Sequence, residues 1–259
     1  MKSFFLMLGF FTRLPVPKNI EFTEERYRKA MILMPLIGLV IGAILIGIFY
    51  LALLLSIAPF LRGAIFLCAY LFLTGGLHFD GLADTCDGIL SGRTRERSLE
   101  IMKDSRIGVF GTLGIFIAGL FYFALFVDVI AHAVLIFPLV GRACCLISAS
   151  LAPYAREDGM GKATGQAGGP GSVAAAIISI IGASCLVFLP YLFPIKGLLS
   201  PVICPLIAAG AAVIVTVCMT MNFKKKLGGV TGDTFGAVIE VSSLVFLLVY
   251  IVAFRVLPL

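Results

Sequence analysis

The sequence contains few charged residues and no tryptophan. Only 13% of its 259 residues are Asp, Glu, Lys or Arg, whereas 60% are hydrophobic, and the mean hydropathy is +1.10. Soluble globular domains carry about 25% charged residues, so this composition excludes that class. The chain is therefore expected to be an integral membrane protein.

Two further features are missing. The seven cysteines are an odd number and lie mostly inside apolar runs, and their spacing predicts neither a disulfide framework nor a zinc site. The basic and apolar start, "MKSFFLMLGFF", is followed by "TRLPVPK" rather than by a small-residue signal cleavage site. We therefore expect an uncleaved amphipathic segment that lies in the cytoplasmic membrane interface.

No polar linker, low-complexity tract or internal repeat divides the chain, so a single membrane domain is expected over residues 1–259. Seven apolar runs are long enough to cross a bilayer core, which takes about 20 residues each. The predicted fold is thus an all-α polytopic membrane protein with about seven transmembrane helices. The runs are residues 31–57, 60–77, 107–127, 131–153, 172–193, 198–221 and 234–258.

The basic residues are distributed unevenly between the loops. Sixteen of the 20 precede the first run or follow the second, fourth and sixth; three lie in the other loops, and Arg142 lies within a run. By the positive-inside rule, this pattern predicts a cytoplasmic N-terminus. Basic loops beside anionic headgroups also explain the net charge of +6, so no nucleic-acid partner is expected.

The acidic residues avoid the predicted outer side. Of the 14 Asp and Glu residues, only Asp128 is placed there. A transporter is expected to place polar residues near the bilayer midplane, whereas here they collect at one rim. This asymmetry favours chemistry on substrates that arrive from the cytoplasm over the transport of a small solute.

One stretch, "GGLHFDGLADTCDGILSG" (75–92), concentrates His78, Asp80, Asp84 and Asp87. On a helix, Asp84 is rotated by about 40° from Asp80 and Asp87 by about 20° the other way, so the three carboxylates share a face. Like charges at these spacings repel, which favours a bound Mg²⁺ that bridges carboxylates and substrate phosphates. The alternative is a solvated acidic turn with Asp80 as a helix cap, and His78 can be a base, a ligand or a structural residue.

Five motifs resemble the cobalamin synthase family, and together they extend over essentially the whole chain. They are "FTRLPVP" (11–17), "GGLHFDGLADTCDG" (75–88), "LEIMKDSRIGVFG" (99–111), "PYAREDGMG" (153–161) and "KLGGVTGDTFGAVIE" (226–240). The resemblance implies that adenosylcobinamide-GDP is joined to alpha-ribazole or its 5′-phosphate, with Mg²⁺ required and GMP released. It also implies a bacterial or archaeal inner-membrane location, with an active site that faces the cytoplasm.

The resemblance assigns roles to residues in these motifs and to the buried Arg142. It implies catalytic roles for Asp80, Asp84, Asp87 and His78, and places Mg²⁺ on the three aspartates. Substrate binding is expected of Arg13, Asp104, Arg106, Arg142, Arg156, Lys226 and Asp233. Arg142 should face the bundle interior with an aspartate or a phosphate as its partner. A homo-oligomer, or a complex with other late cobalamin-pathway enzymes, is a further expectation.

Several alternatives stay open. The aspartate pattern is also similar to that of the CDP-alcohol phosphotransferases, which leaves a lipid enzyme as an alternative function beside a small-solute transporter. Residues 224–226 are either a topology anchor or phosphate ligands. In "LGGVTGD", Asp233 either orients ribazole or a second metal ion, or simply caps the last helix. If one reaction centre uses both Asp233 and Asp80, the second and last spans must be neighbours at the rim.

Overall fold

The structure is a computed structural model that describes residues 1–159, 161–188 and 200–257. Most of these residues are helical, and the pairing found outside helices is a single bridge. The helices are α1 (Lys2–Phe11), α2 (Glu24–Ala30), α3 (Met34–Leu54), α4 (Pro59–Thr74), α5 (Leu77–Leu90), α6 (Arg95–Ile101), α7 (Val109–Val127), α8 (Ala131–Leu151), α9 (Gly161–Gln166), α10 (Pro170–Phe188), α11 (Ser200–Leu227) and α12 (Gly232–Val256).

The chain has several helices that can span a membrane, as the composition predicts. Within the described ranges, five are long and apolar enough, and a sixth is obtained if α4 and α5 count as one broken span. The predicted number of seven is therefore not confirmed. The fifth and sixth predicted runs, 172–193 and 198–221, extend into residues 189–199, which lie outside the described residues.

The second predicted run, 60–77, does not continue straight to its end. Helix α4 stops at Thr74, and α5 leaves it at an angle of 90°. The turn is made by Gly75 and Gly76, whose φ values of 64° and 70° favour glycine because a Cβ is strained in the left-handed region. This bend carries the aspartate-rich helix α5 across the start of α12.

Helix α8 occupies the centre of the bundle. In its most apolar 18-residue window 83% of the residues are buried, against 28% for α7, which lies at the periphery. Helix α3 packs closely on α8 because Gly38 and Gly42 have no side chain where they meet the α8 backbone. Small residues commonly permit such close approach between membrane helices.

The polar segments gather at one end of the bundle. We call this end the polar rim and define it as residues 75–108, 152–159 and 228–234. The predicted amphipathic N-terminal segment forms α1, and it docks here because the Arg13 amide donates to the Leu73 carbonyl at 2.8 Å. At the opposite end, Arg255 pairs with Asp128 at 3.1 Å.

Candidate active site

Two motifs that are distant in sequence form the floor of the polar rim. The chain at Tyr154 runs parallel to Val230, because the Val230 amide donates to the Pro153 carbonyl at 2.9 Å and the Ala155 amide donates to the Val230 carbonyl at 2.8 Å. Arg95 links the same two segments, since its Nε donates to the Leu227 carbonyl at 2.7 Å and its Nη2 to the Ala155 carbonyl at 3.3 Å. These bonds fix the "PYAR" segment beside the start of α12.

Helices α5 and α12 touch through glycines. A Cβ on Gly81 would lie 2.8 Å from the Asp233 carbonyl oxygen, and one on Gly236 would lie 2.9 Å from the His78 carbonyl oxygen. Only glycine permits this separation without a shift of one helix. The expectation that the two helices are neighbours at the rim is confirmed, although Asp80 and Asp233 are far apart in sequence.

A cavity of about 240 Å³ opens at this crossing, and we call it the rim cavity. Its charged part is formed by Asp80, Arg156 and Asp233, together with His78. Its apolar part is formed by side chains from α1, α2, α3 and α12. These are Phe10, Phe11, Tyr27, Met34, Phe235 and Ile239.

Arg156 and Asp233 form an ion pair across the mouth of the rim cavity. The Arg156 Nη2 lies 2.9 Å from the Asp233 Oδ2, and the two side chains are 12% and 22% exposed. The Arg156 Nε is buried and has no hydrogen-bond partner among the described residues. Burial of the neighbouring Tyr154 raises the pKa of its phenol, and the charge of Arg156 opposes that rise. The guanidinium thus has donor capacity left for an incoming anion.

The charged groups around Asp84 include more carboxylates than cations. Asp84 is half-buried and lies within electrostatic range of Asp233, Asp80 and Asp87, while Arg156 is the cation that acts on it. Carboxylates crowded in this way attract a hard cation. Among the described residues, no three His, Cys, Asp or Glu side chains come close enough to hold a metal ion by themselves.

Asp87 differs from the other two aspartates of α5. Its side chain is buried, and its Oδ2 accepts from the Gly108 amide at 2.7 Å while its Oδ1 accepts from the Gly111 amide at 2.9 Å. These amides belong to the N-terminus of α7, where unpaired N–H groups attract a carboxylate. Asp87 therefore anchors α7 to α5, and its role as a metal ligand stays a prediction.

A buried polar cluster lies beside His78, and no sequence motif indicates it. Glu240 is fully buried and accepts hydrogen bonds from the hydroxyls of Tyr70, at 3.0 Å, and Tyr122, at 2.7 Å. The His78 Nδ1 lies 3.5 Å from the Glu240 Oε1. The two hydrogen bonds offset part of the free energy that it costs to bury the carboxylate. Glu240 faces the bundle interior, and the two tyrosines that donate to it are 118 and 170 residues away in sequence.

Arg142 is fully buried in α8, as expected, but its partner is not an aspartate. Its Nη1 donates to the Pro138 carbonyl at 3.0 Å, and its Nε and Nη2 have no hydrogen-bond partner among the described residues. It acts electrostatically on Tyr70 and His78, the side chains that surround Glu240. The side chains around Glu240 therefore lie within its electrostatic range, and the expected phosphate partner stays a prediction.

Four other expected substrate-binding residues do not line the rim cavity. Arg106 is exposed and paired with Asp104 through its Nη2 at 2.7 Å, and this pairing lowers the pKa of the Asp104 carboxyl to about 2. The Lys226 Nζ lies 3.4 Å from the Ile89 carbonyl at the end of α5. Arg13 lies on the other side of Asp80, in a shallow groove that both side chains line.

The start of α12 is capped by Thr231 and not by Asp233. The Thr231 Oγ1 accepts from the Thr234 amide at 3.2 Å, and the Thr231 amide donates to the Thr234 Oγ1 at 2.7 Å. This reciprocal capping box satisfies the first free amides of the helix. The alternative that Asp233 only caps the last helix is wrong, and its carboxylate lines the rim cavity. The Thr231 to Thr234 spacing is the sequence signal for this cap.

The chain matches a known family over nearly its whole length. The profile of the family described as cobalamin-5-phosphate synthase aligns with residues 3–251. The chain belongs to this family. The aligned residues include the polar rim and every residue that lines the rim cavity, so the candidate site lies within the matched part of the chain.

Curated relatives in the family carry the name adenosylcobinamide-GDP ribazoletransferase. The protein of that name from Acetivibrio thermocellus is 40% identical over 255 residues, covering 96% of this chain and 97% of the relative. Those from Alkaliphilus oremlandii and Fusobacterium nucleatum are 39% and 34% identical, with at least 96% of both chains covered. No solved structure matches the chain.

Proposed function

We propose that the chain is an adenosylcobinamide-GDP ribazoletransferase, which joins adenosylcobinamide-GDP to alpha-ribazole or its 5′-phosphate and releases GMP. The observation that carries this proposal is the convergence of Asp80, Asp233 and Arg156 on one cavity in a chain of this family. Transfer at a pyrophosphate depends mainly on positioning and on neutralising charge. Carboxylates and an arginine at one rim are suited to both tasks.

The bonds that change are those of one phosphorus atom. A ribose hydroxyl oxygen of ribazole attacks the phosphorus nearer the corrinoid, and the bridging oxygen leaves with the nucleotide as GMP. Arg156 approaches the phosphate oxygens with its free Nε, and its pairing with Asp233 holds the guanidinium in place. Asp233 in turn orients the attacking hydroxyl.

The donor set fits Mg²⁺. This ion is commonly held by one or two carboxylates together with substrate phosphates, and Asp80 and Asp84 supply two carboxylates beside the charged part of the rim cavity. Asp87 lies on the same helix, and each of its oxygens retains a lone pair after accepting from an amide. When bound, Mg²⁺ supplies positive charge that neutralises the pyrophosphate.

Two groups that line the rim cavity can accept the proton of the attacking hydroxyl. One is the Asp233 carboxylate, and the other is His78, whose ring nitrogens have no hydrogen-bond partner among the described residues. The Glu240 Oε1 lies 3.5 Å from the His78 Nδ1, and its negative charge favours a protonated ring. Either route keeps the proton within the cavity.

The proposed location is the inner membrane of a bacterium or archaeon, with the polar rim in the cytoplasm. The basic loops beside the rim support this orientation. Single cysteines placed at Arg97 and at Asp128, in a background without other exposed cysteines, test it. A membrane-impermeant thiol reagent added to intact cells should label the second position and spare the first, and the reverse pattern refutes the orientation.

The function is tested by product analysis with purified protein in detergent. With adenosylcobinamide-GDP, ribazole and Mg²⁺ present, GMP and the joined corrinoid should form in equal amounts. Omission of either substrate should stop GMP release. A lipid phosphotransferase would need a lipid alcohol instead, and a transporter would release no GMP.

A further inference from the structure

The rim cavity changes character with depth. Asp80 lies at its exposed end, whereas Met34 and Cys145, each 1% exposed, lie at its buried end. Aromatic side chains of the N-terminal helices form the wall between the two. The Phe11 ring is inclined by 27° to Tyr27 and by 30° to His78, with ring centroids 6.5 Å and 5.9 Å apart. A flat apolar ring can pack against such a surface.

Three planar groups take part in the proposed reaction: the corrin ring, guanine and the base of ribazole. The cavity of about 240 Å³ is smaller than the roughly 300–1,000 Å³ of pockets for drug-sized ligands. It therefore excludes a corrin macrocycle with its side chains. It can hold a bicyclic base.

Guanine is excluded by its polar edges. It carries several acceptors and donors that must be paired when they are buried. The buried part of the cavity offers chiefly the Tyr27 and Thr164 hydroxyls, which lie 3.3 Å apart. One of these hydroxyls donates its proton to the other. The acceptor for the remaining proton is the Met31 sulfur, which lies 3.7 Å from the Thr164 Oγ1. That second proton can serve one ring nitrogen, which is what a benzimidazole base presents.

We infer that the apolar part of the rim cavity binds the base of ribazole, and that Phe11 and Tyr27 of the N-terminal helices select a flat apolar bicyclic base over a purine. The base lies against Phe11 with its free ring nitrogen toward the Tyr27 and Thr164 hydroxyls. Its ribose then extends to Asp233 and Arg156, where the attacking hydroxyl meets the phosphate. The corrinoid nucleotide approaches from the exposed end. The inference rests on the proposed function for the identity of the base.

Equilibrium binding tests the inference without any transfer reaction. Purified protein in detergent is titrated with ribazole, followed by the fluorescence of its base, and with adenosine and guanosine by calorimetry. We expect ribazole to bind at least about 10-fold more tightly than either purine riboside, as expected when polar edges are buried unpaired. Phe11→Ala should weaken ribazole binding by about 10- to 100-fold, since it removes a buried aromatic contact.

Matched variants separate recognition from general damage. Phe5→Ala removes the same ring from the same helix, but Phe5 does not line the rim cavity, so ribazole binding should change less than about twofold. Tyr27→Phe keeps the shape of the wall and removes the hydroxyl, which should weaken binding by about 2- to 10-fold. If Phe11→Ala does not fold, the Tyr27→Phe result decides.

The transfer reaction supplies the second readout. In Phe11→Ala and Tyr27→Phe, KM for ribazole should rise while KM for adenosylcobinamide-GDP stays unchanged. Equal losses in Phe5→Ala and Phe11→Ala, or purine ribosides that bind as well as ribazole, would overturn the inference alone. Absence of GMP under all conditions, with ribazole binding that still depends on Phe11, would overturn the proposed function and leave this base site standing.

Discussion

The contact between α5 and α12 leads to a prediction for Gly81→Ala. A Cβ at this position would lie 2.8 Å from the Asp233 carbonyl oxygen and 3.0 Å from its Cα, whereas ordinary contacts begin at 3.4 Å. Both contacted atoms are backbone, so relief requires the helices to separate by about 0.4–0.6 Å, the difference between these distances. That shift moves Asp80 away from Asp233.

Catalytic rates respond strongly to such a shift. A misplacement of about 1 Å can cost about 10²-fold in rate, so about half that distance should cost about 10-fold. The free energy of unfolding should fall by about 0–2 kcal/mol, because overpacking of about 1–3 kcal/mol is partly offset by the higher helix propensity of alanine, about 1 kcal/mol. GMP release and thermal unfolding, both measured in detergent, give the two quantities.

The control is Gly119→Ala in α7, where a Cβ meets nothing within 4 Å. It adds the same methyl group to a helix without pressing on a neighbour, so its transfer rate should stay within about twofold of the unsubstituted protein. If Gly81→Ala transfers as fast as Gly119→Ala, close contact between α5 and α12 is not needed to assemble the site.

Three further substitutions test individual carboxylates, and a fourth, at Cys86, is a control. Asp84→Asn should abolish transfer without affecting folding, because it removes metal-binding charge at nearly constant shape. Cys86→Ser should retain most activity, because Cys86 packs toward α7. If both variants behave alike, the assignment of Asp84 as a metal ligand is contradicted. Asp233→Ala should lower transfer at least about 10²-fold and leave a residual rate that still depends on Mg²⁺, and a near-normal rate would exclude Asp233 from orienting the attacking hydroxyl. Asp87→Ala should lower the free energy of unfolding by about 2 kcal/mol or more, since two amides at the start of α7 lose their acceptor; thermal unfolding unchanged from the original protein would show that this anchor is dispensable.

The sequence was sufficient to predict the membrane class and the gathering of polar residues at one end. Charge distribution and apolar run length are local properties, and they survive folding in any arrangement of helices. The predicted run 60–77 was wrong at its end, because a hydropathy average does not distinguish a straight apolar helix from one that is interrupted by a turn. The signal was present in the paired glycines, Gly75 and Gly76, which permit the left-handed backbone that bends the chain by 90°.

The contents of the site were harder to predict where they depend on contacts between distant segments. The helical spacing of Asp80, Asp84 and Asp87 fixes their angles on α5 but does not reveal that the α7 amides meet the third carboxylate. No sequence pattern links Glu240 to the two tyrosines that donate hydrogen bonds to it. The aromatic wall of the rim cavity has the same origin, since it exists only once α1 and α2 lie beside the crossing of α5 and α12.

The central claim is that a ribose hydroxyl displaces GMP at the phosphorus nearer the corrinoid, in a cavity formed at the polar rim. It is tested most directly with adenosylcobinamide-GDP that carries radioactive phosphorus only at that position. The purified protein, given ribazole and Mg²⁺, should transfer all of the label to the joined corrinoid and release unlabelled GMP. Label recovered in the released nucleotide, or no ribazole-dependent release at all, would contradict the account.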